Sequence, residues 1–395
     1  MTTDQKPFVQ LWSVEDRLRA VEKISAQLQT SLSHQGSLAL QAPRRHAATH
    51  NIRDVDPVAI HGAGLGQAFI IAAWDAPPSW RAAADYPCDG VSDQVEIQNA
   101  IDILPSIGGS VVLSPGTFTV SAAISPRNHL DFGGRVGSGS YTTWATVIKL
   151  ANSTNTDVIA NTAAAGVVCR LHDFMVDGNK ANNLTAGNGI NIAAFKSRFE
   201  RLYIKDCRLS GLVLTGTAGQ EANVGGCFLS HVIVRDCELD GIRNSAAHFD
   251  VFATDIEVGL CGTTGTTSGG WTILGSTVRI GGTSNFYNNM HGIIVGDGVG
   301  EVNEVQISNT LFDTQTRAGI WVRPLNNWVL IVGNIFRNNS QAGAGLYPHI
   351  GLSLSPDSTT AAIQDVTIVG NQFSGVRSPS AMQASYCVDI GTYGI

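Results

Sequence analysis

Asp206 and Asp236 occupy the same place in two strings that share a frame, "YIKDCRLSGLVL" from Tyr203 and "VIVRDCELDGIR" from Val232. Two carboxyls held near each other can cleave a glycosidic bond, one as acid and one as nucleophile or base, at about 5–9 Å. Stacking of the two strings would supply the short end of that range, and the like charges would raise one pKa. Glu238 completes a candidate catalytic set of Asp206, Asp236 and Glu238, with Asp240, Asp250, Asp255 and Glu257 close by in the chain. Lys205, Arg208, Arg235 and Arg243 neutralise the same patch. Aspartate at a turn also has a structural use, bonding its own backbone. The strings "GGWTI", "NFYNNMHG" and "GIWVRP" offer Trp271, Tyr287 and Trp321 as carbohydrate-binding candidates. Exposed aromatics stack on sugars, and they also fill subunit interfaces.

The element that must position these groups is a repeat. An apolar anchor followed three residues later by Asn, Cys or Thr recurs: Val176–Asn179, Ile204–Cys207, Val234–Cys237, Val258–Cys261, Ile280–Thr283, Ile307–Thr310, Ile331–Asn334 and Ile368–Asn371. Alternation with period two around each anchor marks a strand with one buried face. A second short strand opens on glycine, as in "GLVL" at Gly211, "GIIV" at Gly292 and "GLSL" at Gly351, and "CVDI" at Cys387 closes the series. A period of roughly 27 residues falls in the range of solenoids. Such short strands make no core alone, and stacking buries a continuous one. The expected fold is all-β, a parallel β-helix whose rungs lie ~4.8 Å apart. Its third-position residues are expected to form one ladder, with Cys207, Cys237 and Cys261 as small buried hydrophobes in reduced form. Redox or metal chemistry at these cysteines lacks a C-x-x-C spacing. Outward columns bring Tyr203 near Ile233 and Ile294 near Trp321. A patch of that kind is expected to pack on a neighbouring chain, with sugar stacking by Trp321 as the alternative.

Composition agrees with many strands and turns. The chain has 395 residues, of which 43 are Gly, with 14% charged and a net charge of −7. The acidic balance and the lack of a basic run argue against a nucleic-acid partner. No apolar run is long enough to span a bilayer. The N-terminus shows no secretory pattern. Seven scattered cysteines read as free thiols made in a reducing cytoplasm.

The stretch "CDGVSDQVEIQNAIDILPSIGGSVVLSPGTF" is an Asp-Gly turn, an amphipathic helix with Val95, Ile97, Ala100, Ile101 and Leu104 on its apolar face, a Gly-Gly break, a strand and Pro-Gly. It resembles the entry segment of pectate-lyase-like right-handed β-helices, and "LHDFMVDGN" at Leu171 is similar to their first-rung segment. The resemblance covers about residues 80–395 and implies a right-handed β-helix capped by a helix. It implies little about chemistry. The polygalacturonase signature is not met: "NTD" at Asn155 precedes the rungs and no G-H-G follows. No calcium-binding acidic set with an exposed Arg stands out, and Asp173 and Asp177 match turn positions of the family segment.

In the first forty residues Leu11, Val14, Leu18, Val21, Leu28 and Leu32 fall on heptad positions, with Ser25 a polar member. A coiled coil of identical chains is the expected reading, and a helix packed on its own chain the alternative. Next, "PRRHAATHNIRDVDPVAIHGAGLGQA" resembles a neck of phage tail proteins through His46, His50, Asp56 and Pro57. His46 and His50 are weak candidates for a metal on a three-fold axis; otherwise no metal or cofactor is expected. The combined resemblance is to a homotrimeric phage tail fibre or tailspike. The expected organisation is an attachment segment (1–40), a neck (41–78), a cap and entry (79–160) and rungs (161–395). That resemblance implies attachment to host surface polysaccharide, with tail or baseplate proteins as partners at the N-terminus. It also implies a virion location after synthesis in the host cytoplasm. A polysaccharide depolymerase on the same scaffold is the alternative.

Overall fold

A computed structural model describes residues 67–136, 144–161, 166–216, 224–264, 267–342, 346–353, 363–374 and 387–391. The heptad residues, His46 and His50 lie outside the described residues.

The entry begins on a strand that lies within the span expected as the neck (41–78). Strand Gln67–Ala72 pairs in parallel with Gly109–Leu113, and helix Gln94–Asp102 lies between them in sequence. Ile97, Ala100 and Ile101 of that helix are fully buried and Leu104 nearly so, covering the apolar end of the stack. Val95, expected on the same face, is half exposed. Asp93 is buried before the helix and fixes the turn. Its carboxylate accepts the Gly90 amide at 2.8 Å and the Thr119 amide at 2.7 Å.

From there the strands stack in parallel into a 19-stranded and a 9-stranded sheet. Each rung of the larger sheet bends once. In the early rungs one long strand runs through the bend: Cys169–Asp177, Arg198–Lys205 and Cys227–Arg235. Asp173, Arg201 and His231 take left-handed φ there, at 64°, 47° and 55°. In later rungs the strand divides, as in Val251–Thr254 and Glu257–Gly259 around Asp255 at φ 56°. The core is a set of columns, one of which reads Val176, Ile204, Val234, Val258, Phe286, Phe312, Phe336. Its last rings stack at 5.5, 4.9 and 5.1 Å, ending on Phe373. These separations are close to the rung spacing, so each ring covers the next.

Three details of the expected register are corrected. Val258 pairs with Phe286, not with Ile280; Ile280 stacks between Ala253 and Ile307. The single ladder is therefore two. Asn179, Cys207, Cys237 and Cys261 hold one corner, which continues through Asn289, Gln315 and Asn339, each amide oxygen accepting the main-chain N–H of the rung before it at 2.9–3.1 Å. Thr310, Asn334 and Asn371 hold the other corner by the same device. There Ser284 takes the place given to Thr283, bonding the Ile256 amide at 3.1 Å. Both halves of a rung carry an apolar anchor and a polar corner three residues on, so the pattern alone does not tell one half from the other.

The second detail is the glycine column. Gly211 packs so tightly that a Cβ would lie 2.3 Å from Val234 Cγ1. On the later rung that place belongs to His349, because Ile350 pairs with Ile320 and Gly351 with Trp321. The third is the outward face: the column with Glu257 continues to Asn285 and Leu311, while Arg279 and Gln306 continue from Phe252. All seven cysteines are free, six of them buried.

Candidate functional site

On the outside of the bend, a cleft of about 240 Å³ crosses three rungs. It is lined by His231, Ile233, Asp255, Ile256, Glu257, Thr283 and Asn285. The left-handed corner turns His231 and Asp255 outward on neighbouring rungs, 3.8 Å apart from Nε2 to Oδ2. Asp255 Oδ1 accepts the Thr283 amide at 2.9 Å and its hydroxyl at 2.8 Å. Those two bonds hold the Asp255 carboxyl below the usual range. Asn285 Oδ1 is buried and has no hydrogen-bond partner among the described residues. A buried acceptor left without a donor costs about 1–3 kcal/mol, a cost that a ligand hydroxyl removes when the Asn285 side chain turns toward the cleft.

Beside the cleft stands a second group. Glu257 Oε1 accepts the Tyr287 hydroxyl at 2.7 Å. The Tyr287 ring lies across Gly259, where a Cβ would be 2.4 Å from its Cζ. Arg235 caps the same ring at 5.7 Å. Burial, then the Glu257 hydrogen bond and charge, push the Tyr287 hydroxyl well up, so it stays a donor. The cleft therefore presents two carboxylates, an imidazole and an amide, with no aromatic floor. It is built to hydrogen-bond a polyhydroxylated chain.

The expected site residues lie elsewhere. Asp206 and Asp236 sit at the next corner with left-handed φ of 52° and 59°. Asp206 is bonded to Lys205 at 2.7 Å, and Glu238 forms an ion pair with Arg208. Burial, then the charge of Asp206, raise the Asp236 carboxyl, as stacked like charges should. Lys180 donates to the Asp236 carbonyl. None of the three lines the cleft.

The aromatic candidates divide. Trp271, expected at the surface, is fully buried, and its Nε1 donates to Asn244 Oδ1 at 3.2 Å. It points inward because it follows the glycine corner directly. Tyr287 is half-buried and stands beside the cleft. Trp321, also expected outside, is 8% exposed. His291 stacks on it at 4.9 Å and Arg323 at 5.1 Å, so its ring faces are occupied. With Arg317, Tyr347 and Pro348 it lines a cavity of about 30 Å³, room for one water. Of the apolar outward positions, Tyr203 is 7% and Ile294 1% exposed, with Trp144 at 6.1 Å from Tyr203, while Ile233 is half-buried and lines the cleft. What sequence reasoning missed is the grouping of His231, Asp255, Glu257 and Asn285. The signal for it was the rung register, which places them side by side.

No protein-family model matches the chain, and no curated protein matches it. Solved structures share the fold. The full-length tailspike protein 2 of an Escherichia coli O157:H7 bacteriophage superposes with a TM-score of 0.57 at 14% identity, over 75% of this chain and 38% of that one. The enzymatically active domain of bacteriophage CBA120 tailspike protein 2 gives 0.55 at 14% identity, over 75% and 43%. PfbA, a surface adhesin of Streptococcus pneumoniae, gives 0.52 at 16% identity, over 75% and 78%. This chain thus spans less than half of each tailspike chain. Its fold is the right-handed parallel β-helix, the architecture it shares with these tailspikes and this adhesin.

Proposed function

We propose that the chain is a phage tail fibre or tailspike subunit that attaches to host surface polysaccharide, holding the glycan in the cleft at the rung bend. The observation that carries this reading is the cleft's lining: His231, Asp255, Glu257 and the unpartnered Asn285 oxygen on three successive rungs. The tailspike likeness of the fold and the neck resemblance around His46 and His50 support the phage setting. In this reading the heptads of residues 1–40 join three copies and dock them to other tail proteins, in the virion. The test is adsorption of purified protein to host cells and to their extracted polysaccharide. Asp255→Asn and Asn285→Leu are each expected to weaken binding roughly three- to tenfold, the scale of one net hydrogen bond. Unchanged adsorption by both variants overturns the reading.

A second reading, cleavage of the bound glycan, is favoured by one specific feature. Asp255 and Glu257 are two residues apart on one rung and line the same cleft. Paired-carboxylate hydrolysis needs two carboxyl groups about 5–9 Å apart facing one bound glycan, and these two share one cleft wall. Asp255 is held ionised, while Glu257 takes a phenol hydrogen bond. Asp206, Asp236 and Glu238 are the competing assignment. Release of reducing ends from the polysaccharide separates them: loss in Glu257→Gln but not in Asp236→Asn assigns the cleft, and no release by the wild type removes the reading.

A further inference from the structure

A short step along the strands from the cleft, an outward column reads Arg198, Phe228, Phe252, Arg279 on four successive rungs, in direct register. Two adjacent phenylalanines flanked by arginines stand out in a column that carries Gln306, Leu330 and Thr367 on later rungs. Phe228 is 46% exposed. The two rings stack on each other at 5.3 Å. Arg198 caps Phe228 at 5.7 Å, and Arg279 caps Phe252 at 5.8 Å. The ring faces are therefore used within the column, and the solvent meets ring edges. An aromatic edge carries the positive end of the ring quadrupole. Edges and guanidiniums together make an apolar strip of positive character on a protein of net charge −7. Arg198 has Glu200 at 3.7 Å. Arg279 has no carboxylate within ion-pair distance among the described residues.

We propose that this strip recognises an acidic polysaccharide, with the chain's carboxylate, sulfate or phosphate groups meeting Arg198 and Arg279 and its apolar faces lying along the Phe228 and Phe252 edges. The inference rests on the glycan reading of the cleft and names the class of glycan. The strip ends three rungs apart, roughly 14 Å, so it suits a chain and not a single small anion. Ser230 and Thr254 lie between strip and cleft, which lets one glycan contact both. A second copy of this chain is the other occupant that an apolar strip could take, and the test includes it.

The experiment measures binding of the full-length protein to polygalacturonate, hyaluronate and polysialic acid, each beside its carboxyl-reduced neutral form and beside dextran. At least one acidic polymer is expected to bind more tightly than its reduced form, the difference shrinking as salt rises. Arg279→Gln is expected to lower that difference about fivefold, the upper end for one exposed charge, and Arg279→Lys to restore most of it. Phe228→Ala with Phe252→Ala is expected to weaken the acidic polymer and to lower melting temperature by a few degrees through the lost stack, while the cooperative unfolding transition and the light-scattering mass are kept. Binding without acidic preference overturns the strip and leaves the glycan reading standing. Binding of none of these polymers, in a protein that still adsorbs to its host, also overturns the strip alone. Absence of any glycan binding overturns both. A fall in mass of the double variant shows a subunit contact instead and overturns the proposal.

Discussion

At the residue scale, the buried histidines set the pH behaviour. Burial pushes His248 and His349 down to about 4 from an ordinary value near 6.5, so both are neutral in the fold. Their depressed folded values give stability that is present above pH 6.5 and is lost as pH falls toward 4. Each contributes on the order of 3 kcal/mol across that window. His172 behaves in the opposite sense. Burial alone would lower it, but Asp131 and Asp173 bond the ring and raise it. Its Nδ1 lies 2.5 Å from Asp173 Oδ2, and its Nε2 3.2 Å from Asp131 Oδ1, off the direction of a straight bond. Stability from His172 is complete below pH 6.5 and is lost as pH rises through its folded value. The His248 and His349 contribution to melting temperature is therefore expected to rise between pH 4 and 6.5, against the raised carboxyls of Asp93, Asp236 and Asp240, and His172→Gln to flatten only the alkaline side. An unchanged alkaline limb in that variant would contradict the assignment. The buried Trp271 gives a second residue-scale expectation: Trp271→Ala should cost about 3–5 kcal/mol by denaturant unfolding. A cost below 1 kcal/mol would place it outside the core.

At the element scale, the strands and corners were largely legible. Period-two alternation around Ile204, Val234 and Val258 put the right residues inside, and the Asp-Gly, Gly-Gly and Pro-Gly punctuation located the entry helix. The slip from Val258 to Ile280 shows the limit. Two half-rungs with the same anchor-and-corner grammar are interchangeable in sequence, and only main-chain pairing separates them. The cleft was hidden for the same reason: Glu257 beside Asn285 depends on a register that the slip had broken. Trp321 was misread because His291, from the preceding rung, and Arg323 cover its ring faces. Gly259 tests the local construction. Gly259→Ala places a methyl 2.4 Å from Tyr287 Cζ, so the ring must leave Glu257 and Arg235. The variant is expected to fold with its core intact, since Gly259 faces out, and to lose at least half of its glycan binding. Full binding would separate the Tyr287 group from the site.

At the scale of the whole molecule, the β-helix works as a rigid ruler. Residues thirty positions apart become neighbours at fixed spacing, so a site can be assembled from single contributions of successive rungs without a dedicated domain. That is how His231, Asp255 and Asn285 meet. The heptads of residues 1–40 supply the expectation for assembly: removing them should lower the mass of the full-length protein from trimer to monomer in light scattering and leave the β-helix melting transition in place. A trimer that persists would move the assembly contacts onto the shaft. Glycan binding in the cleft is tested most directly by a crystal structure of the protein with an oligosaccharide cut from the polysaccharide it adsorbs to. Sugar density is expected in the cleft, with a hydroxyl bonded to Asn285 and another to Asp255 or Glu257. Density confined to another place, such as the cavity at Trp321 or the corner of Asp206 and Asp236, would contradict it.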